Sequence, residues 1–164
     1  MKYVRIKRGE TILGDSLNDN TYIKDDYRFH DVFHMAYMSV LGWSPVMRAL
    51  LRCKRKSDSN IDENEDGARA AIIEEAVSVI IFNRFKKSRN LNSRSKLELD
   101  YSQYKYICIM CADLEVNGSP YRQWKDAVSQ GYEIFRQLKR YRKGYVFLNL
   151  DDRTITFSRV IQVG

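Results

Sequence analysis

Asp62-Glu63-Asn64-Glu65-Asp66-Gly67-Ala68-Arg69-Ala70-Ala71-Ile72-Ile73-Glu74-Glu75-Ala76-Val77 opens a run that stays largely apolar through Phe82 and reads as one helix over Asp62 to Phe85. Apolar residues fall on nearly every face of that helix, and a helix of this kind is buried. At least one of Glu74 and Glu75 is therefore expected inside the protein. A buried carboxylate without a partner costs several kcal/mol, so it demands a cation, a hydrogen-bond network or a proton. An upstream segment offers such partners. Asp25-Asp26-Tyr27-Arg28-Phe29-His30-Asp31-Val32-Phe33-His34, continuing to Gly42, is also helix-patterned and holds both histidines of the chain. His30 and His34 are spaced i, i+4, which places them on one helix face. The basic run Lys54-Arg55-Lys56 lies between the two segments, and the stretch from Asp25 to Glu75 becomes the candidate site.

At 164 residues, 44% apolar and 30% charged, the chain has the composition of one ordinary soluble domain with room for a sizeable core. No segment approaches the roughly 18 consecutive apolar residues of a membrane span, and the N-terminus lacks the apolar core of a signal peptide. A cytoplasmic location without a membrane partner is the expectation. Cys53, Cys108 and Cys111 are an odd number, which argues for free thiols rather than a disulfide scaffold. Cys108 and Cys111 have half a zinc ribbon's spacing but lie in an apolar helix with no second pair. A net charge of +7 favours an anionic partner. The basic clusters Arg84 to Lys96 and Arg136 to Lys143 are read as solvated faces.

Around the central stretch, Tyr3 to Ile6 and Glu10 to Leu13 flank Lys7-Arg8-Gly9 as a hairpin. Ser44 caps a short helix with Pro45 at its first position, running to about Cys53. Ser57 to Ile61 reads as a loop. Further helices are predicted over Leu97 to Leu114 and Tyr121 to Arg142, separated by the breaker Asn117-Gly118-Ser119-Pro120. Tyr145 to Leu150 and Thr154 to Val160 alternate about Asp151-Asp152-Arg153 as a second hairpin. The expected fold is mainly α: a helical bundle of four to five helices with a small β element from the N- and C-terminal hairpins, which could join as one sheet. The whole of 1–164 is expected to be one domain, with a flexible internal connection at 86–96.

Each candidate residue also has an ordinary structural role. His30 and His34 alone read as hydrogen-bonded helix histidines, and Glu63, Glu65 and Asp66 as favourable charge at a helix N-terminus. Together, two imidazoles among several carboxylates suit a divalent ion: carboxylates prefer Mg²⁺ or Mn²⁺, while imidazole also admits Zn²⁺ or Fe²⁺. Asp66 and Glu74, two turns apart on the predicted helix, are expected to point toward the same neighbour. Tyrosines beside basic residues, as in Tyr27-Arg28 and Arg140-Tyr141-Arg142, could stack bases, yet most fall on helical faces where packing explains them.

The runs Gly14-Asp15-Ser16-Leu17, Asn18 to Tyr22, Tyr27 to His34, Leu41-Gly42-Trp43-Ser44-Pro45 and Lys54-Arg55-Lys56-Ser57 resemble the MazG C-terminal domain family. So do Asp62 to Ala70 with Glu74-Glu75, and later Leu114-Glu115-Val116, Trp124, Gly131-Tyr132, Phe135-Arg136 and Asp151-Asp152-Arg153-Thr154. In that family the module commonly follows a MazG-type, Mg²⁺-dependent, all-α domain that cleaves nucleoside triphosphates to monophosphate and pyrophosphate. The EExxE and ExxD motifs that hold Mg²⁺ in the catalytic module are not present here as a clean pair.

The first functional reading is a nucleoside triphosphate pyrophosphohydrolase-like protein dependent on Mg²⁺ or Mn²⁺. His30, Asp31, His34 and Glu75 are its candidate catalytic residues, Asp31, Glu63, Asp66 and Glu74 its metal ligands, and Lys54, Arg55, Lys56 and Arg69 its phosphate contacts. A homo-oligomer is expected, with a separate MazG catalytic domain or another protein as a further partner. The alternative is a non-catalytic nucleotide-sensing or protein-interaction module. A small basic nucleic-acid-binding protein is the third reading, and nucleic acid is not the expected partner.

Overall fold

The computed structural model describes residues 4–8, 10–19, 22, 24–88 and 98–160. Strands β1 (Val4–Arg8) and β2 (Thr11–Leu17) precede helices α1 (Asp31–Ala36), α2 (Pro45–Leu50), α3 (Ser59–Asn64), α4 (Ala68–Ser88), α5 (Tyr101–Met110) and α6 (Tyr121–Tyr141). Strands β3 (Tyr145–Asn149) and β4 (Thr154–Ser158) follow. The mainly helical class with two small hairpins is as the sequence pattern predicts. Among the described residues the hairpins do not join: β1 pairs with β2 and β3 with β4, each pair antiparallel. The C-terminal hairpin instead buries Ile155 in the helical core, which supplies the apolar cover that an isolated two-stranded ribbon lacks.

The first predicted helix is wound in three ways. A 3₁₀ turn at Tyr27–Phe29 leads into α1, which passes into a π-helical segment at Tyr37–Leu41. Gly42, at φ 71°, ends it in the left-handed region that glycine adopts without steric cost. The second predicted helix is two helices. Asp58 accepts hydrogen bonds from the Asn60 and Ile61 amides and caps α3 within what reads as a loop. The chain then turns at 65–67 before α4 begins. A Cβ on Gly67 would lie 1.9 Å from the Glu63 carbonyl oxygen, so only glycine fits that turn. Helix α5 is shorter than its pattern and opens with a capping box between Asp100 and Gln103. The expected connection at 86–96 is helical as far as Ser88, and its remainder lies outside the described residues.

Helix α6 is the most amphipathic element, burying Trp124, Ala127, Val128, Gly131, Ile134, Phe135 and Leu138 in a stripe of helical period. Against it lie Val32, Phe33 and Ala36 of α1, with Tyr37 and Val40 beyond them. The two helices approach closely at Gly131, where an added Cβ would stand 3.0 Å from the Phe33 ring and 3.2 Å from the Ala36 Cβ. Farther along, buried Arg28 pairs with Asp19 at 2.6 Å and Asp26 at 2.8 Å, and Asp26 also receives Arg142 from the end of α6. This packing fixes the backbone of α1, and therefore both histidines. No helix among the described residues is long and apolar enough to cross a membrane.

Replacing Gly131 by Val inserts methyl groups where Phe33 and Ala36 are fully buried. The expected cost is about 2 kcal/mol, read as a lower melting temperature; an unchanged one would show that α1 and α6 are not held at this distance.

Candidate metal centre

Helix α4 sets two adjacent carboxyl groups in different surroundings. Successive helical residues point about 100° apart, so Glu74 turns into the protein and is fully buried, while the Glu75 side chain remains 44% exposed. Three donors converge on Glu74. His34 Nδ1 lies 2.8 Å from Oε1, the Ser44 hydroxyl donates to Oε1 at 2.5 Å, and the Val46 amide donates to Oε2 at 2.8 Å. Ser44 is also the cap of α2, its oxygen accepting from the Met47 amide. Glu74 therefore ties α4 to α1 and to the first turn of α2.

The opposite edge of the His34 ring is different. Nε2 is buried and makes no aligned hydrogen bond, although Glu75 Oε2 stands 3.4 Å away. His30 repeats the pattern one turn earlier. Its Nδ1 contacts the Tyr27 carbonyl oxygen at 2.9 Å, and a carbonyl only accepts, so Nδ1 carries the proton. Its Nε2 then faces Asp31 Oδ1 at 3.1 Å and Glu75 Oε2 at 3.8 Å. Tyr27 also stacks on the His30 ring at 4.1 Å, and Tyr37 packs edge-on against His34. Ligand atoms of His30, Asp31 and His34 all lie within 4.8 Å of one another, and Glu75 of α4 stands outside that set, its Oε2 beside both histidine Nε2 atoms.

Charge in the cluster is unevenly held. Burial pushes the His30 imidazole below its ordinary pKa, with Asp31 and Glu75 opposing that shift, and burial raises Asp31. Burial also disfavours charge on His34, but Glu74 and Glu75 outweigh it and push that imidazole up to about 10. His34 in turn holds Glu75 below the usual carboxylate range. Without a bound cation, a proton on His34 supplies the positive charge between two carboxylates. A metal ion at Nε2 would take that proton's place, as metal binding to imidazole generally requires.

The residues singled out from the sequence divide into three groups. His30, Asp31, His34 and Glu75 converge. Glu74 stands behind His34, with its two oxygens already engaged by three donors. Glu63 and Asp66 are not in the cluster: Glu63 is exposed on α3, and Asp66 precedes α4 instead of lying within it. Asp66 accepts from the Arg55 amide at 2.8 Å and from Arg55 Nη2 at 2.7 Å, and Arg48 Nε lies 3.6 Å away. Arg48 and Val46 both belong to α2, so Asp66 and Glu74 do reach one neighbouring helix, at different points. Arg55 also pairs with Glu115 at 2.8 Å and is committed to protein carboxylates. Lys54 is half-buried, and Lys56 and Arg69 are exposed. An open cleft of about 360 Å³ lined by Glu133, Arg136, Gln137, Lys139, Arg140 and Tyr141 shares no residue with the cluster.

Ser44 reads as a helix cap from its place before Pro45, but its bond to Glu74 is a tertiary contact with no local signature. The Tyr27 carbonyl, the Val46 amide and Glu115 carry no sequence signal as partners of these residues.

The MazG C-terminal domain model matches residues 1–161. No curated protein and no solved structure matches the chain.

Burial would raise the Asp66 pKa, but hydrogen bonds and charge from Arg55 hold it below the ordinary 3.8. A depressed carboxyl pKa contributes stability that is present above the ordinary value and lost as pH falls through the depressed one. Asp66→Asn is therefore expected to cost about 3 kcal/mol near neutral pH and to flatten the acid limb of the stability curve below about pH 4. Denaturant melts across pH measure both; parallel acid limbs in parent and variant would contradict the assignment.

Proposed function

The chain belongs to the MazG C-terminal domain family, which associates it with MazG-type nucleoside triphosphate pyrophosphohydrolases, and from that premise we propose a divalent-metal-dependent nucleotide pyrophosphohydrolase-like module. One observation carries the proposal. The Tyr27 carbonyl and the Glu74 carboxylate each engage a histidine Nδ1, so that both Nε2 atoms turn toward Asp31 and Glu75. A histidine whose other nitrogen is fixed by an oxygen acceptor is the usual form of a metal ligand.

Of the two expected ions, Mg²⁺ and Mn²⁺, the two imidazoles favour Mn²⁺, and His30, Asp31, His34 and Glu75 would hold it. When bound, it supplies polarisation of phosphate oxygens and a lower pKa for water. Glu75, half-exposed at the edge of the cluster, accepts the proton of the water that attacks the α-phosphorus. The bond from that phosphorus to the α,β-bridging oxygen breaks, and pyrophosphate leaves with the bond electrons. Buried Tyr37 and half-buried Tyr27, packed against the two imidazoles, keep the local dielectric low, which strengthens charge stabilisation. With Arg55 engaged by Asp66 and Glu115, phosphate charge falls to Lys54, Lys56 and Arg69.

That engagement of Arg55 also favours a second reading, a non-catalytic module. There the ion is structural, and a MazG catalytic domain or another protein is the partner.

The assay is purified protein with a panel of nucleoside triphosphates and Mg²⁺ or Mn²⁺, the products separated by chromatography. Monophosphate and pyrophosphate are expected, with release reduced by orders of magnitude in His30→Ala and Asp31→Ala variants that keep their helical circular dichroism. Absence of turnover across the panel with metal demonstrably bound would overturn the hydrolase and leave the module.

A further inference from the structure

The donor set distinguishes between kinds of divalent ion. We propose that the cluster selects one first-row transition-metal ion of the Mn²⁺ to Zn²⁺ series against Mg²⁺, with His30 Nε2, His34 Nε2, Asp31 and Glu75 as ligands and Glu74 as the residue that positions His34. This deepens the reading above and rests on its treatment of the cluster as a cation site.

Three observations support the choice. First, two of the four ligating groups are imidazoles, whose rings meet edge-on with centroids 5.5 Å apart. Mg²⁺ takes oxygen ligands in near-octahedral geometry and dehydrates reluctantly, whereas imidazole suits later first-row ions. Second, His34 Nε2 is a fully buried nitrogen that makes no aligned hydrogen bond and faces Glu75 Oε2 at 3.4 Å. An ion between the two would satisfy the buried nitrogen and the carboxylate together. Third, the outer shell is complete. Glu74 receives donors from His34, Ser44 and Val46, and the His30 ring is held between its Nδ1 bond to Tyr27 and the stacked Tyr27 ring.

The two carboxylate ligands differ in freedom. Asp31 is 13% exposed at the side chain and adjoins His30 in sequence, whereas Glu75 is 44% exposed. The rigid part of the site is thus His30, Asp31 and His34, and Glu75 reaches in from solvent. Solvent access on that side leaves coordination positions for water or for a phosphate oxygen, as in metal sites that react rather than merely brace a fold. Any Mg²⁺ needed for turnover would then arrive with the nucleotide rather than reside here.

Glu74→Gln tests the positioning role. The amide accepts at one atom but presents an NH₂ group at the other, against either the Val46 amide or the His34 Nδ1 proton, so either the side chain that holds the ring is repelled by the Val46 amide or the ring loses its acceptor. Loss of such an outer-shell partner weakens metal binding by about 10- to 100-fold.

The experiment titrates the chelator-treated full chain with Zn²⁺, Co²⁺, Mn²⁺ and Mg²⁺ by calorimetry, and follows Co²⁺ by its visible absorbance. One ion per chain is expected, with Zn²⁺ at least about 100-fold tighter than Mg²⁺. His30→Ala, which leaves the Glu74 network intact, should lose the saturable Co²⁺ bands while keeping its helical signal. Glu74→Gln should keep the stoichiometry with weakened affinity, and Glu63→Gln, on exposed α3, should match the parent. Equal affinity for Mg²⁺ and Zn²⁺, unaltered Zn²⁺ binding in His30→Ala, or loss of binding in Glu63→Gln would each overturn the proposal. Tight Zn²⁺ binding without nucleotide turnover supports this site and removes the hydrolase reading. Turnover with Mg²⁺ alone, in a protein with no Zn²⁺ site, removes this site and leaves hydrolysis standing.

Discussion

A carboxylate in the middle of an apolar helix constrains everything around it. Glu74 cannot be left alone in the interior, and the chain answers by bringing three donors from two other elements to its two oxygens. His34 comes from α1, while Ser44 and Val46 come from the first turn of α2. The π-helical segment and Gly42 between them allow the chain to turn back so that both elements reach the same side of α4. Removing Glu74 would release all three contacts, and removing His34 would leave the buried carboxylate without its charged partner at a cost of several kcal/mol. The site is therefore as rigid as the core in which it is embedded, the condition under which ligand groups keep their geometry before an ion arrives.

The same bond fixes the chemistry. By engaging Nδ1 of His34, Glu74 directs Nε2 toward Glu75, and the Tyr27 carbonyl does the equivalent for His30. Two glutamates adjacent in sequence thus take different tasks because α4 turns one inward and leaves the other at the surface. A second network, Asp66 with Arg55, Arg48 and Glu115, joins the loop after α2 to the start of α4 and to the turn after α5. It uses acidic and basic residues that resemble ligands and phosphate contacts in sequence, but their charges neutralise one another.

Local pattern carried much of this into view. The i, i+4 spacing of His30 and His34, the apolar surroundings of Glu74 and Glu75, the Ser44-Pro45 cap and the amphipathic stripe of α6 are all written within a few residues, and each is present in the fold. Patterning requires that one of Glu74 and Glu75 be buried; only the register of α4 against α1 decides which. Gly67 follows Asp66 as a turn signal, yet the apolar run beyond it hides the break between α3 and α4 and places Asp66 on a helix it does not occupy. Pairings such as Arg55 with Glu115, 60 positions apart, have no local trace. Nor does the failure of the hairpins to join, which depends on the helical core offering Ile155 a better place.

The central claim is that both histidines keep Nδ1 protonated and turn Nε2 toward one ion. Long-range ¹H–¹⁵N correlation spectra of the imidazoles, recorded on the metal-free chain and again with one equivalent of Zn²⁺, measure this directly. With only two histidines in the sequence, every signal is assignable by a single substitution. The account predicts that Zn²⁺ moves both Nε2 resonances to the metal-coordinated range while both Nδ1 atoms remain protonated. Nε2 resonances unmoved by Zn²⁺, or coordination through Nδ1, would contradict it.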